Sequence, residues 1–379
     1  MADVDPHHQS STVGISSTPP LSPIEPTEIR ILKQILFGPH GLRSGWIAAG
    51  FLVVNFVTSR IFTVIGAQVL GISLENALKG FGPATAGFLE VVSFLALVTA
   101  MLLGALVARC NWLDYNLRSR HWVLQFAVGA LTGAASLSLL LAILHSGGWI
   151  RFSVGDLQET HAVRFGLAWA GVFLLTGLVE EGMTRCFLLG TLTRGADFWW
   201  SSGTVAFLCL AASVNAHGNG TAGVYAAAVL GVPGCLVLHL RRSEMEGFWC
   251  AAWLTSVLFC YLHTFNRGES SVGIFGTALI GFAFCVSVWA LGSAWWAIGF
   301  HAAWDWAQTF LFGTADSGMA PKDHWLTSAP AGPNLWSGGS AGPEGSVLIL
   351  PLIVLVMLGL AVVASRRIKR AALPMDNLS

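Results

Sequence analysis

The chain has 379 residues, 54% of them hydrophobic and only 11% charged, with 20 basic and 20 acidic side chains. Its mean hydropathy of +0.66 and its charged fraction, about half that of an average soluble domain, exclude a water-soluble globular fold. Zero net charge argues against a nucleic-acid binder, which needs a basic stripe to neutralise phosphates. The seven cysteines include no Cys-x-x-Cys pair and lie mostly in apolar runs, where a thiol packs as a small hydrophobe.

Residues 1 to about 29 are rich in Ser, Thr, Pro and His, as in Ser16-Ser-Thr-Pro-Pro-Leu-Ser-Pro-Ile-Glu-Pro26. Such a stretch buries too little surface to offset chain entropy and is expected to be disordered. It lacks the basic and apolar regions of a cleavable signal peptide. Glu28 to Arg43 read as a short amphipathic lead-in carrying Arg30, Lys33 and Arg43, so residues 1–43 form a cytoplasmic tail. From Ser44 to Ala364 apolar runs recur, each about long enough to cross a bilayer as a helix. Ten spans are expected, at about 45–69, 84–108, 121–145, 165–190, 201–216, 221–240, 247–264, 272–291, 295–313 and 346–365. The fold class is therefore all-α, a polytopic membrane helical bundle over residues 44–370 with a second tail at 371–379.

The distribution of charge orients that bundle. With the N-terminus inside, the inner segments hold Arg30, Lys33, Arg43, Arg109, Arg118, Arg120, Arg194, Arg241, Arg242, Arg366, Arg367, Lys369 and Arg370. The outer ones hold only Lys79, Arg151, Arg164, Arg267 and Lys322, the asymmetry of a positive-inside protein. The expected location is the plasma (inner) membrane, multi-pass, with both termini cytoplasmic. The spans at 201–216 and 221–240 are the weakest, and a hairpin that dips in and returns suits them nearly as well. An outer loop at about 314–345 is rich in Gly, Pro and Ser. Tryptophans gather near span ends, as at Trp199-Trp200 and Trp295-Trp296, where an amphipathic ring suits the headgroup boundary.

An ionisable side chain inside the bilayer is expensive and is functional by default, with a structural ion pair as the main alternative. In Glu180-Glu181-x-x-x-Arg185, Glu181 and Arg185 stand four apart and pair along one helix face. Glu180 points elsewhere, without that partner, and a carboxylate left free in an apolar pocket suits a general base. Phe259-x-x-x-His263-x-x-Asn266 lies in the seventh span, where a histidine alone is more often hydrogen-bonded core. His301-x-x-x-Asp305 shares one face of the ninth span; there the Asp orients the His, or the two form half of a metal site, or they bond a neighbouring helix. Counting from the inner turns puts Glu180 and His263 roughly 20 Å deep, with His301 and Asp305 one to two turns shallower. Arg60 and Glu90, at similar depths in the first two spans, are expected to form an ion pair, and His239 to be interfacial.

Glu-Glu-x-x-x-Arg, Phe-x-x-x-His and His-x-x-x-Asp, each in its own membrane helix, resemble the CPBP family: type II CAAX prenyl endopeptidases and bacteriocin-processing or immunity proteins, also called the Abi family. The likeness is densest over about 176–195 and 247–318, including His263-Thr-Phe-Asn-Arg-Gly-Glu269 and Gly292-Ser-Ala-Trp-Trp-Ala-Ile-Gly-Phe-His-Ala-Ala-Trp-Asp305. It implies a protease-like core at about 165–315 around a conical cavity open to the inner leaflet and cytosol. It also implies hydrolysis, with no cofactor, of a peptide bond near the C-terminus of a membrane-associated protein or peptide. Carried over, Glu180 and His263 activate water, His301 and Asp305 form the oxyanion side, Glu181 and Arg185 support them, and Asn266 belongs to the second motif's part of the site. Ionised, Asp305 would repel an oxyanion, so its preferred role is to hold His301 as imidazolium.

Two departures from the family stand out. Glu180 and His263 are about 80 residues apart, more than the family usually shows, which reads as an inserted hairpin at about 201–246 added to an eight-helix core. Cys186 follows Arg185 where a Gly or an aromatic residue is commoner. Two other readings compete with the glutamate-type endopeptidase: a zinc-dependent protease using Glu180, His263 and His301 as ligands, and a non-catalytic membrane immunity or scaffold protein. A transporter would also place charges at mid-depth, but no inverted repeat supports it.

Overall fold

A computed structural model describes residues 27–38, 41–73, 81–155, 157–215, 220–266 and 268–371. The expected tails before residue 27 and after residue 371 lie outside the described residues, as do Lys79 and Arg267. The chain divides into two units, residues 1–41 and 42–379. The first contains α1 (Thr27–Leu36), the amphipathic helix expected from the alternation of Ile29 and Leu32 with Arg30 and Lys33.

The second unit is a bundle of helices. They are α2 (Ser44–Leu70), α3 (Pro83–Ala108), α4 (Trp122–Ser146), α5 (Glu159–Glu181), α6 (Phe198–Asn215), α7 (Thr221–Leu240), α8 (Glu246–His263), α9 (Ser271–Leu291), α10 (Trp295–Trp306) and α11 (Ile349–Ala371). Each of the ten expected spans is thus a helix. Seven are long and apolar enough to cross a membrane, and α6, α8 and α10 fall short of that measure. Both α5 and α10 run on into π-helical segments: Gly182–Leu188 starts right after Glu181 and contains Arg185 of the first motif, and Ala307–Leu311 follows the third motif's His301 and Asp305. Such wide turns inside helices frequently mark functional sites.

The two ends of the bundle differ in kind. One gathers the turns 109–121, 193–197, 241–245 and 292–294 with the last turns of α11. Ala294 N donates to Asn116 O at 2.8 Å, Phe198 N to Glu246 Oε1 at 2.9 Å, and Arg367 Nη1 to Ala290 O at 3.0 Å. His239, at the same end, lies 2.8 Å from Glu246 Oε1. The other end carries a two-stranded antiparallel sheet, Ile150–Val154 against Leu326–Pro330, with Ile150 opposite Pro330. The Gly-, Pro- and Ser-rich loop folds into this end rather than out of it: Thr314, Ser337, Ala341 and Ser346 are all buried.

Close backbone packing sets the position of α10. Gly129 and Gly133 of α4 face Trp296 and Phe300, and a Cβ on them would stand 2.1 Å and 2.2 Å from those residues' carbonyl oxygens. Gly299 meets Phe126 O in the same way, at 2.2 Å. This is the small-xxx-small contact that lets membrane helices approach at backbone distance. Trp296 is consequently core, 5% exposed, and not the interfacial ring expected from its place near a span end.

Candidate active site

Glu180 and Glu181 close the α-helical part of α5, and the π-helical segment that follows holds Arg185 fully buried. Arg185 Nη1 lies 3.3 Å from Glu181 Oε2 and 2.6 Å from Thr184 Oγ1, and its Nε donates to Gly281 O at 3.3 Å. Its guanidinium stands 4.3 Å from the Phe259 ring centre and 5.4 Å from that of Phe284. A Cβ at Gly281 would approach Arg185 Nη2 to 2.4 Å, so a glycine in α9 makes room for the cation.

Glu181 serves a second partner. His301 Nδ1–H donates to Glu181 Oε1 at 2.8 Å, while His301 Nε2 lies 3.4 Å from Asp305 Oδ2 and 3.8 Å from Glu180 Oε2. The other histidine arrives from α8. His263 Nδ1–H donates to Phe259 O at 2.8 Å, which leaves Nε2 directed at Glu180 Oε2, 3.9 Å away. Glu180 Oε2 therefore sits between two imidazole nitrogens and is buried without a direct hydrogen-bond partner. Separations just beyond hydrogen-bond length are those at which polar groups act through one water.

These residues line a cavity of about 460 Å³. Glu180, His263, Asn266, His301 and Asp305 reach its surface; Glu181 and Arg185 lie behind it. Asn266, past the end of α8, is hydrogen-bonded to Glu269. All seven candidate residues are thus gathered in or directly behind one cavity. Three more carboxylates line it: Glu90 from α3, and Asp316 and Glu344 from the loop between α10 and α11. Burial pushes Glu344 up to about 8, with the charges of Asp316 and Glu269 adding to it, while Trp304 Nε1 donates to its Oε1 at 3.0 Å. Burial likewise raises Asp316 to about 6 and Glu269 to about 7.

Two expectations are corrected. Arg60 does not pair with Glu90: it is exposed on α2, 5.1 Å from the Phe56 ring centre, and Glu90 turns into the cavity. Residue counting gives depth along a helix but not direction around it. His301 is not shallower than Glu180 but level with it, because the turn before α10 is drawn into the bundle. Ala294 is fully buried there, and Trp295 Nε1 donates to Leu117 O at 2.8 Å. Asp316 and Glu344 were not among the candidates, since a Gly-, Pro- and Ser-rich loop carries no sign that it packs against helices. Glu90 carries the signal, an intramembrane carboxylate, and it lines the cavity where the sequence suggests a pair with Arg60.

Among the described residues, no group of three or more His, Cys, Asp or Glu is arranged to hold a metal ion. Residues 230–307 match a family model described as type II CAAX prenyl endopeptidase Rce1-like, the peptidase family that the motifs resemble. The matched stretch contains His263, Asn266, His301 and Asp305; Glu180, Glu181 and Arg185 precede it. No curated protein and no solved structure matches the chain.

Proposed function

We propose that this multi-pass membrane endopeptidase with an Rce1-like segment works by a glutamate-type mechanism on a membrane-associated protein or peptide, near the substrate's C-terminus. The observation that carries the reading is Glu180 Oε2, buried and unpartnered, with His263 Nε2 and His301 Nε2 at 3.9 Å and 3.8 Å. A water held between Glu180 and His263 gives its proton to Glu180 as its oxygen adds to the scissile carbonyl carbon. The oxyanion forms against His301 Nε2–H. Glu181 fixes that ring through Nδ1, and Asp305 at 3.4 Å supports its positive charge without taking over the Nε2 proton. Collapse breaks the C–N bond, and Glu180 returns its proton to the leaving amine. Arg185, 3.3 Å from Glu181 Oε2, holds that carboxylate in place from behind.

The test uses purified protein in liposomes with a pool of lipid-anchored peptides, read by mass spectrometry of new C-termini. His263→Gln should slow cleavage by about 10²- to 10⁴-fold, the usual contribution of a positioned acid–base group. A His263→Gln protein that cleaves at the wild-type rate overturns the assignment.

A further inference from the structure

A second space lies between α7, α8 and α9, a groove of about 730 Å³. It shares helices with the catalytic cavity but not faces. His263 of α8 and Phe284 of α9 line the cavity, whereas Trp253 and Phe282 of the same two helices line the groove. The third wall is one face of α7, where Gly231, Pro233 and Gly234 offer little side chain to fill the space. A Cβ on Gly231 would stand 2.2 Å from Trp253 Cδ1, but one on Gly234 would meet nothing within 4 Å. So α7 touches α8 at Gly231 and stands off from it at Gly234.

Place and chemistry limit what can fill this space. Leu230 and Val237, which line it, are 61% and 45% exposed on a helix long and apolar enough to cross a membrane, so the groove lies on a flank that lipid covers. Two polar groups in its wall are already used: Trp253 Nε1 donates to Ala227 O at 3.3 Å, and Ser256 Oγ to Ala252 O at 2.6 Å. A peptide would bring backbone groups that need partners, whereas a hydrocarbon chain brings none. Along α7 the lining runs from Ala227 to Leu238. That is about 16 Å at about 1.5 Å per residue, close to half of a hydrocarbon core about 30 Å thick, the depth of one leaflet.

Aromatic rings and then arginines follow at the end of that run. Trp289, itself exposed, packs against Trp249 with ring centres 5.6 Å apart, and the exposed Trp199 lies 6.1 Å from the His239 ring in the last turn of α7. Indole rings so placed mark the level of the headgroups. Arg241 and Arg242, both exposed, come directly after α7.

We infer that the groove holds an acyl chain of a membrane phospholipid whose anionic headgroup lies against Arg241 and Arg242. The chain fills the space that Gly234 leaves, and the two guanidiniums meet the phosphate at the interface. The site is separate from the catalytic cavity and holds whether or not that cavity cleaves peptides.

The experiment uses the full chain, purified and delipidated in detergent, titrated with phosphatidylglycerol or phosphatidylcholine and read by native mass spectrometry. Wild type should retain one phosphatidylglycerol with at least a tenfold preference over phosphatidylcholine. Gly234→Phe, which fills the groove, should abolish that retention. Gly203→Phe on α6, where a Cβ also meets nothing within 4 Å, should leave it unchanged. The exposed pair Arg241→Gln and Arg242→Gln together should weaken phosphatidylglycerol binding roughly 10- to 30-fold, about fivefold for each arginine at an anionic headgroup. Added phosphatidylglycerol should raise the melting temperature of wild type and not that of Gly234→Phe. Equal retention by Gly234→Phe and wild type, or equal wild-type affinity for the two lipids, overturns the inference. So does a groove that takes a lipidated peptide in place of phospholipid. A wild-type dimer that retains no lipid and that Gly234→Phe dissociates would assign the groove to a second copy instead.

Discussion

Gly133 is the position where packing and chemistry are most directly coupled. It touches Phe300, the residue before His301, and a Cβ there would stand 2.2 Å from Phe300 O, whereas ordinary contacts begin at 3.4 Å. Gly133→Ala must therefore part α4 and α10 by about 1.2 Å at this point, an overpacking that costs about 1–3 kcal/mol. His301 moves with its helix. The bond from its Nδ1 to Glu181 Oε1, now 2.8 Å, then opens beyond hydrogen-bond length, and its Nε2 leaves the place from which it is proposed to meet the oxyanion. A displacement of this size at a reacting group costs about 10²-fold in rate. The assay compares cleavage by purified wild type, Gly133→Ala and Gly171→Ala, the last being a control because a Cβ on Gly171 meets nothing within 4 Å. Gly133→Ala should lose about 10²-fold in kcat while Gly171→Ala stays within about twofold, with both proteins recovered folded. A Gly133→Ala enzyme as fast as wild type would refute the claim that this contact positions His301.

Arg185→Met should destabilise the protein by about 3–5 kcal/mol, because it leaves the fully buried Glu181 without its guanidinium partner. Adding Glu181→Gln should restore most of the thermal midpoint, and no recovery would mean that the pair does not account for the loss. Asp305→Asn keeps the shape but removes the charge beside His301 Nε2, so activity should fall at least tenfold, with the pH–rate profile shifted. An Asn variant with wild-type activity and profile would show that a neutral donor is enough. Glu344 is raised from 4.5 to about 8, so the fold binds its proton more tightly than the unfolded chain does. Its stabilising contribution is complete below the unfolded value of 4.5 and is lost as pH rises through about 8. Thermal midpoints measured across that window should fall with rising pH in wild type and fall less in Glu344→Gln; parallel curves would count against a buried, protonated Glu344.

Much of the site was legible because a bilayer makes charge conspicuous. Glu180, Glu181, Arg185, His263, His301 and Asp305 stand out in apolar helices, and i,i+4 spacing alone pairs Glu181 with Arg185 as observed, at 3.3 Å. The spacing could not tell that Glu181 also accepts from His301, 120 residues on, because that contact depends on how α5 and α10 pack. The glycines that bring α4 against α10 are common residues in membrane helices, and nothing in their order marks which face they serve. Depth failed for His301 because counting assumes that turns lie at the surface, and Ser293 and Ala294 of the turn before α10 are fully buried. The Arg60–Glu90 pairing failed because neither side chain's direction follows from its depth. The loop carrying Asp316 and Glu344 has the composition of a solvated linker, yet burial of Thr314, Ser337 and Ser346 makes it part of the cavity wall.

The central claim is that Glu180 activates water for peptide hydrolysis, and the most direct measurement is made in the native host. The chromosomal gene is replaced by its Glu180→Gln form, protein levels are matched, and C-termini are mapped across the membrane proteome. New C-termini present in wild type and absent in Glu180→Gln, with the uncleaved precursors accumulating, are the predicted result. Identical sets of C-termini in the two strains across several growth conditions would contradict it and favour a cavity that binds without cutting.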